Sequence, residues 1–270
     1  MTQTPTITAP ALITIPMAGT GMDIEYQWIN PELTDADLII FLHEGLGSIS
    51  MWRDWPAQVC QAAQCRGLVY SRYGYGQSTP RTAHDLRSPD YLHIEAQQAL
   101  PALLQALDLQ DQRPILFGHS DGGSIALIYA AAHPDSVKAI MVAAPHIFVE
   151  DITVDGIVAA RDIARTTDLI QKLGRHHQDP ATVFSSWNDT WLTEEFRAWN
   201  IENLLPQIRC PILAIQGDND EYGTLEQILG IKRLAPHTQL CIIPDCGHSP
   251  HRDQPAALNQ AITDFLQNLV

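Results

Sequence analysis

Short apolar runs alternate with longer helical segments along most of the chain. The runs are rich in Ile, Leu, Val and Phe, as buried strands are. Strands that alternate with helices indicate a parallel sheet with helices on both faces. We therefore predict an α/β fold with eight mostly parallel strands, at residues 11–15, 24–29, 37–42, 67–71, 114–117, 137–143, 211–216 and 239–243. The second run alternates apolar and polar residues, so we expect it to be antiparallel.

The helical segments divide the chain into a core and an insertion. We predict core helices at residues 52–64, 90–107, 124–130 and 255–269, the second of them capped by Asp90 and bent at Pro101. After Ala144 the alternation stops, and helical segments at 156–173 and 194–205 appear without a strong strand. The prediction is a core domain of residues 1–144 and 208–270. Residues 145–207 form a helical cap, inserted after the sixth strand over the carboxyl edge of the sheet, where such folds bind ligands.

The segment from Phe117 to Gly123 has the sequence Phe-Gly-His-Ser-Asp-Gly-Gly. An apolar run precedes it and a helical run follows it, which predicts a strand, a sharp turn and a helix. Such a turn presents the hydroxyl of Ser120 on an exposed corner, and it needs glycine because the backbone segments approach closely. The pattern indicates the nucleophile of a serine hydrolase.

A serine hydroxyl becomes an effective nucleophile when a base accepts its proton. Two later turns, each directly after a predicted strand, carry suitable groups. Asp218 and Asp220 follow the strand at 211–216, and His248 follows the strand at 239–243. Serine, acid and histidine in this chain order are typical of the α/β-hydrolase triad.

Over nearly its whole length the chain resembles the α/β-hydrolase superfamily. Within it, the chain is similar to the small capped serine hydrolases of the biphenyl hydrolase-like and meta-cleavage product hydrolase branch. The family's acid is the aspartate of a Gly-x-x-Asp turn, which implies Asp220 rather than Asp218. Its histidine belongs to a Gly-His pair before the last helix, which implies His248 rather than His251. In these roles His248 accepts the proton of Ser120, and Asp220 orients and stabilises the imidazole.

Acyl transfer also requires hydrogen-bond donors for the developing oxyanion. One donor is expected to be the N–H of Asp121, the residue after the nucleophile. The segment from His43 to Ser48 resembles the family's oxyanion loop, and by position Gly45 supplies the second N–H. Glu44 stands where the family usually has glycine. Its side chain either shapes the pocket, binds a substrate donor, or points away.

The sequence leaves the substrate open. The Asp121 carboxylate either binds a substrate ammonium group, as the resemblance to amino acid ester hydrolases implies, or stabilises the helix that follows Ser120. Trp187 and Trp191 in the cap either form an apolar substrate pocket or pack the cap onto the core. We predict a small-molecule substrate that contacts Glu44, Asp121 and the two tryptophans.

Composition excludes several classes of partner. Sixteen Lys and Arg residues against 31 Asp and Glu give a formal net charge of −15, which argues against nucleic acid and anionic membranes. No apolar stretch is long enough to cross a bilayer, and the first 20 residues do not resemble a secretory signal. Five cysteines without metal-ligand spacing indicate reduced thiols in a cytoplasmic protein. The sequence carries no cofactor or metal motif.

Three functions remain in competition. The first is hydrolysis of small carboxylic esters, including amino or aromatic esters, through an acyl-enzyme on Ser120. The second is hydrolysis of a carbon–carbon bond in ring-cleavage diketones, which the family resemblance also implies. The third is a signal-binding protein that keeps the triad and turns over slowly. We predict the ester hydrolase, and the sequence leaves the oligomeric state unknown.

Overall fold

The computed structural model describes residues 4–17, 19–82 and 87–269. The strands are β1 (Ala11–Met17), β2 (Thr20–Ile29), β3 (Leu38–Leu42), β4 (Arg66–Ser71), β5 (Ile115–His119), β6 (Ala139–Ala143), β7 (Ile212–Gly217) and β8 (Gln239–Ile243). They form one sheet in the order β1-β2-β4-β3-β5-β6-β7-β8. The β1–β2 and β2–β4 pairs are antiparallel and the others are parallel. The predicted eight-stranded, mostly parallel sheet is confirmed.

Helices cover both faces of this sheet. They are α1 (Ile49–Trp52), α2 (Trp55–Ala63), α3 (Tyr91–Ile94), α4 (Leu100–Ala106), α5 (Asp121–Ala132), α6 (Asp151–Thr166), α7 (Leu169–Leu173), α8 (Pro180–Trp191), α9 (Glu194–Arg197), α10 (Glu226–Leu234), α11 (Pro250–Asp253) and α12 (Pro255–Gln267). Successive side chains of a strand enter different layers. In β3, Ile40 and Leu42 pack in one apolar cluster with α4 and α5, while Ile39 and Phe41 pack in the other with α2 and α12. Burial on both faces explains why the central strands are continuous apolar runs.

Two predicted core helices are interrupted. The helix predicted at 52–64 is broken at Arg53, whose φ is 54°, and restarts at Trp55 so that Pro56 lies in the first turn of α2. The helix predicted at 90–107 contains a π-helical stretch, Glu95–Ala99, between α3 and α4. This wider turn comes directly before Pro101, whose ring would clash with the preceding turn of a regular α-helix.

The helices between β6 and β7 also differ from their predicted bounds. The helix predicted at 156–173 begins earlier, at Asp151, and Thr167 is extended, so the segment forms α6 and α7. The helix predicted at 194–205 ends at Arg197. Beyond it, the N–H of Ile201 donates to the carbonyl oxygen of Ile147 at 2.8 Å, so the backbone bonds to the segment after β6 and leaves the helix. The helices α8, α10 and α11 were not predicted.

Aromatic side chains link the helices after β6 to the rest of the molecule. They belong to the same apolar cluster as the buried residues of α5, and they are Phe184, Trp187, Trp191, Phe196 and Trp199. Polar contacts reinforce this packing, since His177 lies 2.9 Å from the carbonyl oxygen of Leu46 and accepts the N–H of Gly76 at 3.0 Å. The segment between α7 and α8 therefore lies over the loops that follow β3 and β4.

Candidate active site

Ser120 lies at the corner between β5 and α5. Its φ is 53° and its ψ is −118°, and such a positive φ is strained for a residue other than glycine. A Cβ atom at Gly118 would collide with the carbonyl group of Gly122, and one at Gly122 would collide with that of Leu42. Glycine at both positions lets the strand, the turn and the helix pack this closely. The corner presents the Ser120 hydroxyl at the start of α5.

A continuous series of hydrogen bonds joins Ser120, His248 and Asp220. The Oγ atom of Ser120 lies 3.0 Å from Nε2 of His248. On the other side of the ring, Nδ1 lies 2.9 Å from Oδ1 and 3.0 Å from Oδ2 of Asp220. An ionised carboxylate only accepts hydrogen bonds, so we assign the proton of the neutral ring to Nδ1. Nε2 then offers its lone pair to the Ser120 hydroxyl, which is the geometry of a general base.

Asp220 has donors other than His248. Gln216 Nε2 donates to Oδ2 at 2.7 Å, and the backbone N–H of Tyr222 donates to Oδ1 at 2.8 Å. Burial raises the pKa of the Asp220 carboxyl, but the charge and the hydrogen bond of His248 lower it, and the pKa lies below its ordinary value. Asp220 is therefore held both in position and in its ionised form.

The alternatives in the same two turns point elsewhere. Asp218 is exposed, and its Oδ1 accepts a hydrogen bond from Asn219 at 2.9 Å. The ring of His251 packs against that of Trp52, with centroids 5.0 Å apart. The structure thus brings the predicted aspartate and histidine to the serine, and gives Asp218 and His251 other partners.

The surroundings of His248 favour its charged form. Burial lowers the pKa of His248, but the charge and the hydrogen bond of Asp220 raise it, and the pKa lies above its ordinary value of 6.5. The backbone of His248 is held on both sides. Its N–H donates to Glu221 at 3.1 Å, and its carbonyl oxygen lies 2.7 Å from Nε2 of His119. The backbone that carries the imidazole is therefore fixed by hydrogen bonds on both sides of His248.

Both predicted oxyanion-hole residues lie close to Ser120. Asp121 is the first residue of α5, and an N–H in the first turn has no acceptor within its own helix. Gly45 lies on the loop after β3 and lines the same cavity as Ser120. A Cβ atom at Gly45 would collide with the indole of Trp187, so the loop has no room for a side chain there. The oxyanion-hole roles of Gly45 and Asp121 stay predictions.

The carboxylate of Asp121 does not reach the cavity. Its side chain is fully buried, and Oδ2 accepts hydrogen bonds from Nη2 of Arg72 at 3.2 Å and from the hydroxyl of Tyr91 at 2.8 Å. This corrects the prediction that the carboxylate binds a substrate ammonium group, because the side chain is fully buried and does not line the cavity at Ser120. The alternative considered from the sequence, a structural role beside the helix, agrees with this placement.

A cavity of about 250 Å³ opens over Ser120. Its apolar wall comes mainly from the helices after β6, through Ile157, Leu169, Leu173, Trp187 and Trp191. Its polar wall includes Glu44, His146, Glu221, Tyr222 and Arg252. Both tryptophans that we predicted to contact substrate line the cavity. Trp199 instead stacks on Phe196, with ring centroids 5.6 Å apart.

Glu44 combines exposure to this cavity with a bond inside its own loop. Its carboxylate accepts the backbone N–H of Leu46. Burial raises the pKa of Glu44, while this hydrogen bond lowers it, and the pKa lies above its ordinary value. The side chain thus closes a turn where the family usually has glycine, and its predicted contact with substrate stays a prediction.

Sequence reasoning missed a buried polar cluster behind Ser120. Its centre is the Arg72–Asp121 ion pair, and Tyr91 joins it to the helices after β6 because its hydroxyl accepts the indole N–H of Trp191 at 2.9 Å. The guanidinium of Arg72 also lies 4.7 Å from the ring centroid of Tyr75. No local pattern in the sequence indicates which residues the Arg72 side chain contacts.

Within the described parts of the chain, no three His, Cys, Asp or Glu side chains come together as they do around a metal ion. In the same residues, no helix is both long and apolar enough to span a membrane.

Several known enzymes are similar in sequence to most of this chain. It is 26% identical over 279 residues to the sn-1-specific diacylglycerol lipase ABHD11 of Mus musculus, covering 91% of this chain and 85% of that protein. It is 27% identical over 212 residues to the serine hydrolase BPHL of Homo sapiens, covering 74% of this chain and 69% of that protein. It is 24% identical over 263 residues to 2-hydroxy-6-oxononadienedioate/2-hydroxy-6-oxononatrienedioate hydrolase 2 of Pseudomonas putida, covering 86% of this chain and 88% of that protein.

The family model for alpha/beta hydrolases matches residues 39–261. The match runs from β3 into α12 and includes the corner at Ser120 and the turns that carry Asp220 and His248. The predicted resemblance, including its biphenyl hydrolase-like and meta-cleavage relatives, is confirmed. The chain belongs to the alpha/beta hydrolase family.

Proposed function

We propose that this protein is a serine hydrolase that cleaves small carboxylic esters through an acyl-enzyme on Ser120. The proposal rests on one observation above all. The hydrogen bonds from Asp220 through His248 end on the Ser120 hydroxyl, which faces a cavity of about 250 Å³. The lipase and serine hydrolase relatives support the same class of reaction.

The reaction would proceed in two stages. His248 accepts the proton of Ser120 as Oγ attacks the ester carbonyl carbon, and Asp220 stabilises the imidazolium. The N–H groups of Gly45 and Asp121 stabilise the oxyanion. His248 then donates its proton to the leaving alcohol, and Ser120 remains acylated. In the second stage His248 activates a water molecule, which releases the acid and restores Ser120.

The cavity favours a small acyl group. Its apolar wall, with Trp187 and Trp191, suits a short aliphatic chain or a single aromatic ring. An amino ester would need Glu44 or Glu221, the carboxylates of the cavity wall, since the Asp121 carboxylate is buried on Arg72. We therefore expect neutral short-chain and aromatic esters to be the better substrates.

The test is a progress curve for p-nitrophenyl butyrate with the wild type, Ser120→Ala and Ser185→Ala. The last variant is the control, because Ser185 is exposed on α8. We expect sustained turnover in the wild type and the control, and a loss of about 10⁶-fold in kcat for Ser120→Ala. Activity retained by Ser120→Ala would contradict the proposal. A single burst equal to the enzyme concentration would favour the slow signal-binding protein.

The Pseudomonas putida relative gives a specific reason to test a second candidate, hydrolysis of a carbon–carbon bond. Incubation with 2-hydroxy-6-oxononadienedioate, followed by loss of its visible absorbance, measures this reaction directly. Faster Ser120-dependent turnover of this diketone than of any short ester would replace the ester proposal with the carbon–carbon one.

A further inference from the structure

We propose that Arg72 is a positioning residue for the oxyanion hole, and that its one guanidinium holds both hydrogen-bond donors in place from behind. The inference rests on the proposed function, because it concerns the stabilisation of an oxyanion formed at Ser120. Arg72 follows β4 directly, and its side chain is fully buried. It therefore acts through other groups and does not contact the substrate.

The first contact is with the peptide that carries the N–H of Gly45. Nη2 of Arg72 donates to the carbonyl oxygen of Glu44 at 3.0 Å. The same oxygen accepts the N–H of Gly47 at 3.1 Å and lies 2.7 Å from Nδ1 of His43. In a trans peptide the carbonyl and the following N–H point in opposite directions. Three donors on the Glu44 oxygen thus turn the Gly45 N–H away from Arg72, to the side where Gly45 lines the cavity.

His43 ties the backbone of Arg72 to the same peptide. The N–H of Arg72 donates to Nε2 of His43 at 3.0 Å, so the ring proton belongs on Nδ1, from which it is donated to Glu44. Burial, and then the charge of Arg72, hold the pKa of His43 well below its ordinary value, so the ring is neutral. The main chain and the side chain of Arg72 therefore fix one carbonyl oxygen together.

Tyr75, from the same loop, fixes the next peptide. Its hydroxyl donates to the carbonyl oxygen of Gly45 at 2.8 Å, and its ring lies under the guanidinium of Arg72. Both carbonyl groups that flank the Gly45 N–H are thus held by residues 72 to 75. A rotation of this peptide would break bonds on both of its sides.

The second contact of the guanidinium is with Asp121, whose N–H is the other predicted donor. Nη2 of Arg72 also donates to Oδ2 of Asp121 at 3.2 Å, and both side chains are fully buried. Burial lowers the pKa of Arg72, but Tyr75 and Asp121 raise it above its ordinary value, so the guanidinium stays charged. One nitrogen atom therefore joins the oxyanion loop to the first residue of α5, and sets how far apart the two N–H groups lie.

This arrangement predicts a defect specific to the transition state. Oxyanion donors act over a narrow range of distances, and the loss of one typically costs about 10²- to 10³-fold in kcat. Neither Arg72 nor the Asp121 side chain lines the cavity, so we expect their loss to change ground-state binding little. Lysine keeps the charge, but its ammonium ends one bond short of the position of Nη2, which makes both contacts, so Arg72→Lys should be as impaired as Arg72→Met.

The experiment measures the reaction of Ser120 with a fluorophosphonate, by intact mass, beside kcat and KM for p-nitrophenyl butyrate. We expect Arg72→Lys and Arg72→Met to react about 10²-fold more slowly and to lose about 10²-fold in kcat, with KM within about threefold of wild type. Arg66→Met is the matched control. It removes a half-buried guanidinium from the other end of β4, where it contacts Gln112, and it should keep both rates.

Removal of one partner from a buried ion pair can unfold a protein. The double variant Arg72→Met/Asp121→Leu leaves no unpaired charge and keeps the Asp121 backbone N–H, and we expect the same slow reaction from it. Rates within about threefold of wild type in a folded Arg72 variant or in the double variant would overturn the inference. A rise in KM that accompanies the fall in kcat would also overturn the inference.

The two proposals can fail separately. If wild-type Ser120 reacts with the fluorophosphonate but hydrolyses no ester, the ester proposal fails, and Arg72 is still judged on the labelling rates. If wild-type Ser120 does not react with the fluorophosphonate at all, both proposals are overturned.

Discussion

At the scale of single residues, His248 is under two opposing influences. Burial lowers its pKa, whereas Asp220 raises it, and the pKa lies above the ordinary value of 6.5. As a base His248 acts only when neutral, so kcat/KM should rise as the pH increases through this pKa and fall below it. We expect the acidic limb of the kcat/KM profile for p-nitrophenyl butyrate to have its midpoint above pH 6.5.

Two variants of the same turn test the origin of that limb. Asp220→Asn removes the largest of the charges that raise the pKa of His248 and leaves the effect of burial, so the limb should move to lower pH while kcat falls about 10⁴-fold. Asp218→Asn removes an exposed carboxylate two residues away and should leave the profile unchanged. If the acidic limb stays in place in Asp220→Asn, or moves as far in Asp218→Asn as in Asp220→Asn, then Asp220 does not set the pKa of His248.

Residues differ in how well the sequence predicts their contacts. Ser120, Asp220 and His248 each follow a strand that ends at the same edge of a parallel sheet, so the order of elements was enough to predict that they meet. Arg72 also follows a strand, but its partners Glu44 and Asp121 lie on another loop and at the start of a helix. A long side chain can turn in many directions, and only the packed structure selects one.

At the scale of elements, Tyr91 connects α8, a helix of the predicted cap, to the helix that begins at Asp121. Its hydroxyl accepts the indole N–H of Trp191 in α8 and donates to Asp121 in α5. Tyr91→Phe leaves both partners buried without this bond, which should lower the free energy of unfolding by about 1 to 3 kcal/mol. In equilibrium urea unfolding, this loss of stability should appear as a lower midpoint, with an unchanged dependence of the free energy of unfolding on urea concentration.

Tyr129→Phe is the control for this prediction. Tyr129 is buried in α5, and its hydroxyl has no hydrogen-bond partner among the described residues. We expect a change within about 0.5 kcal/mol for this variant. Equal losses in the two variants would mean that the hydrogen bonds of Tyr91 contribute nothing beyond packing.

The elements of the sheet were easier to predict than those of the cap. A central strand is buried on both faces, so its whole run is apolar and its bounds are visible in the sequence. The helices of the predicted cap combine buried and exposed positions, and their ends depend on contacts distant in sequence. Asn200 pairs with Phe148, for example, which ends helical structure where the local sequence would have allowed it to continue.

At the scale of the whole molecule, Phe196 and Trp199 of the predicted cap pack in the same apolar cluster as the buried residues of α5. A boundary at residues 144 and 208 describes the order of elements along the chain, and the insertion it defines is not separated from the core by solvent. Such packing favours unfolding of the entire chain in a single step.

Thiol exposure can test this cooperativity, because the cap residues 145–207 contain no cysteine. Cys60, Cys65 and Cys246 are buried in the core, so their reaction with a thiol reagent reports on the core alone. Trp199→Ala opens the cap, and such a truncation typically costs about 3 to 5 kcal/mol. We expect it to lower the urea midpoint of thiol exposure as much as that of far-UV circular dichroism. Thiols still protected at urea concentrations that have already changed the dichroism would mean that the cap unfolds separately.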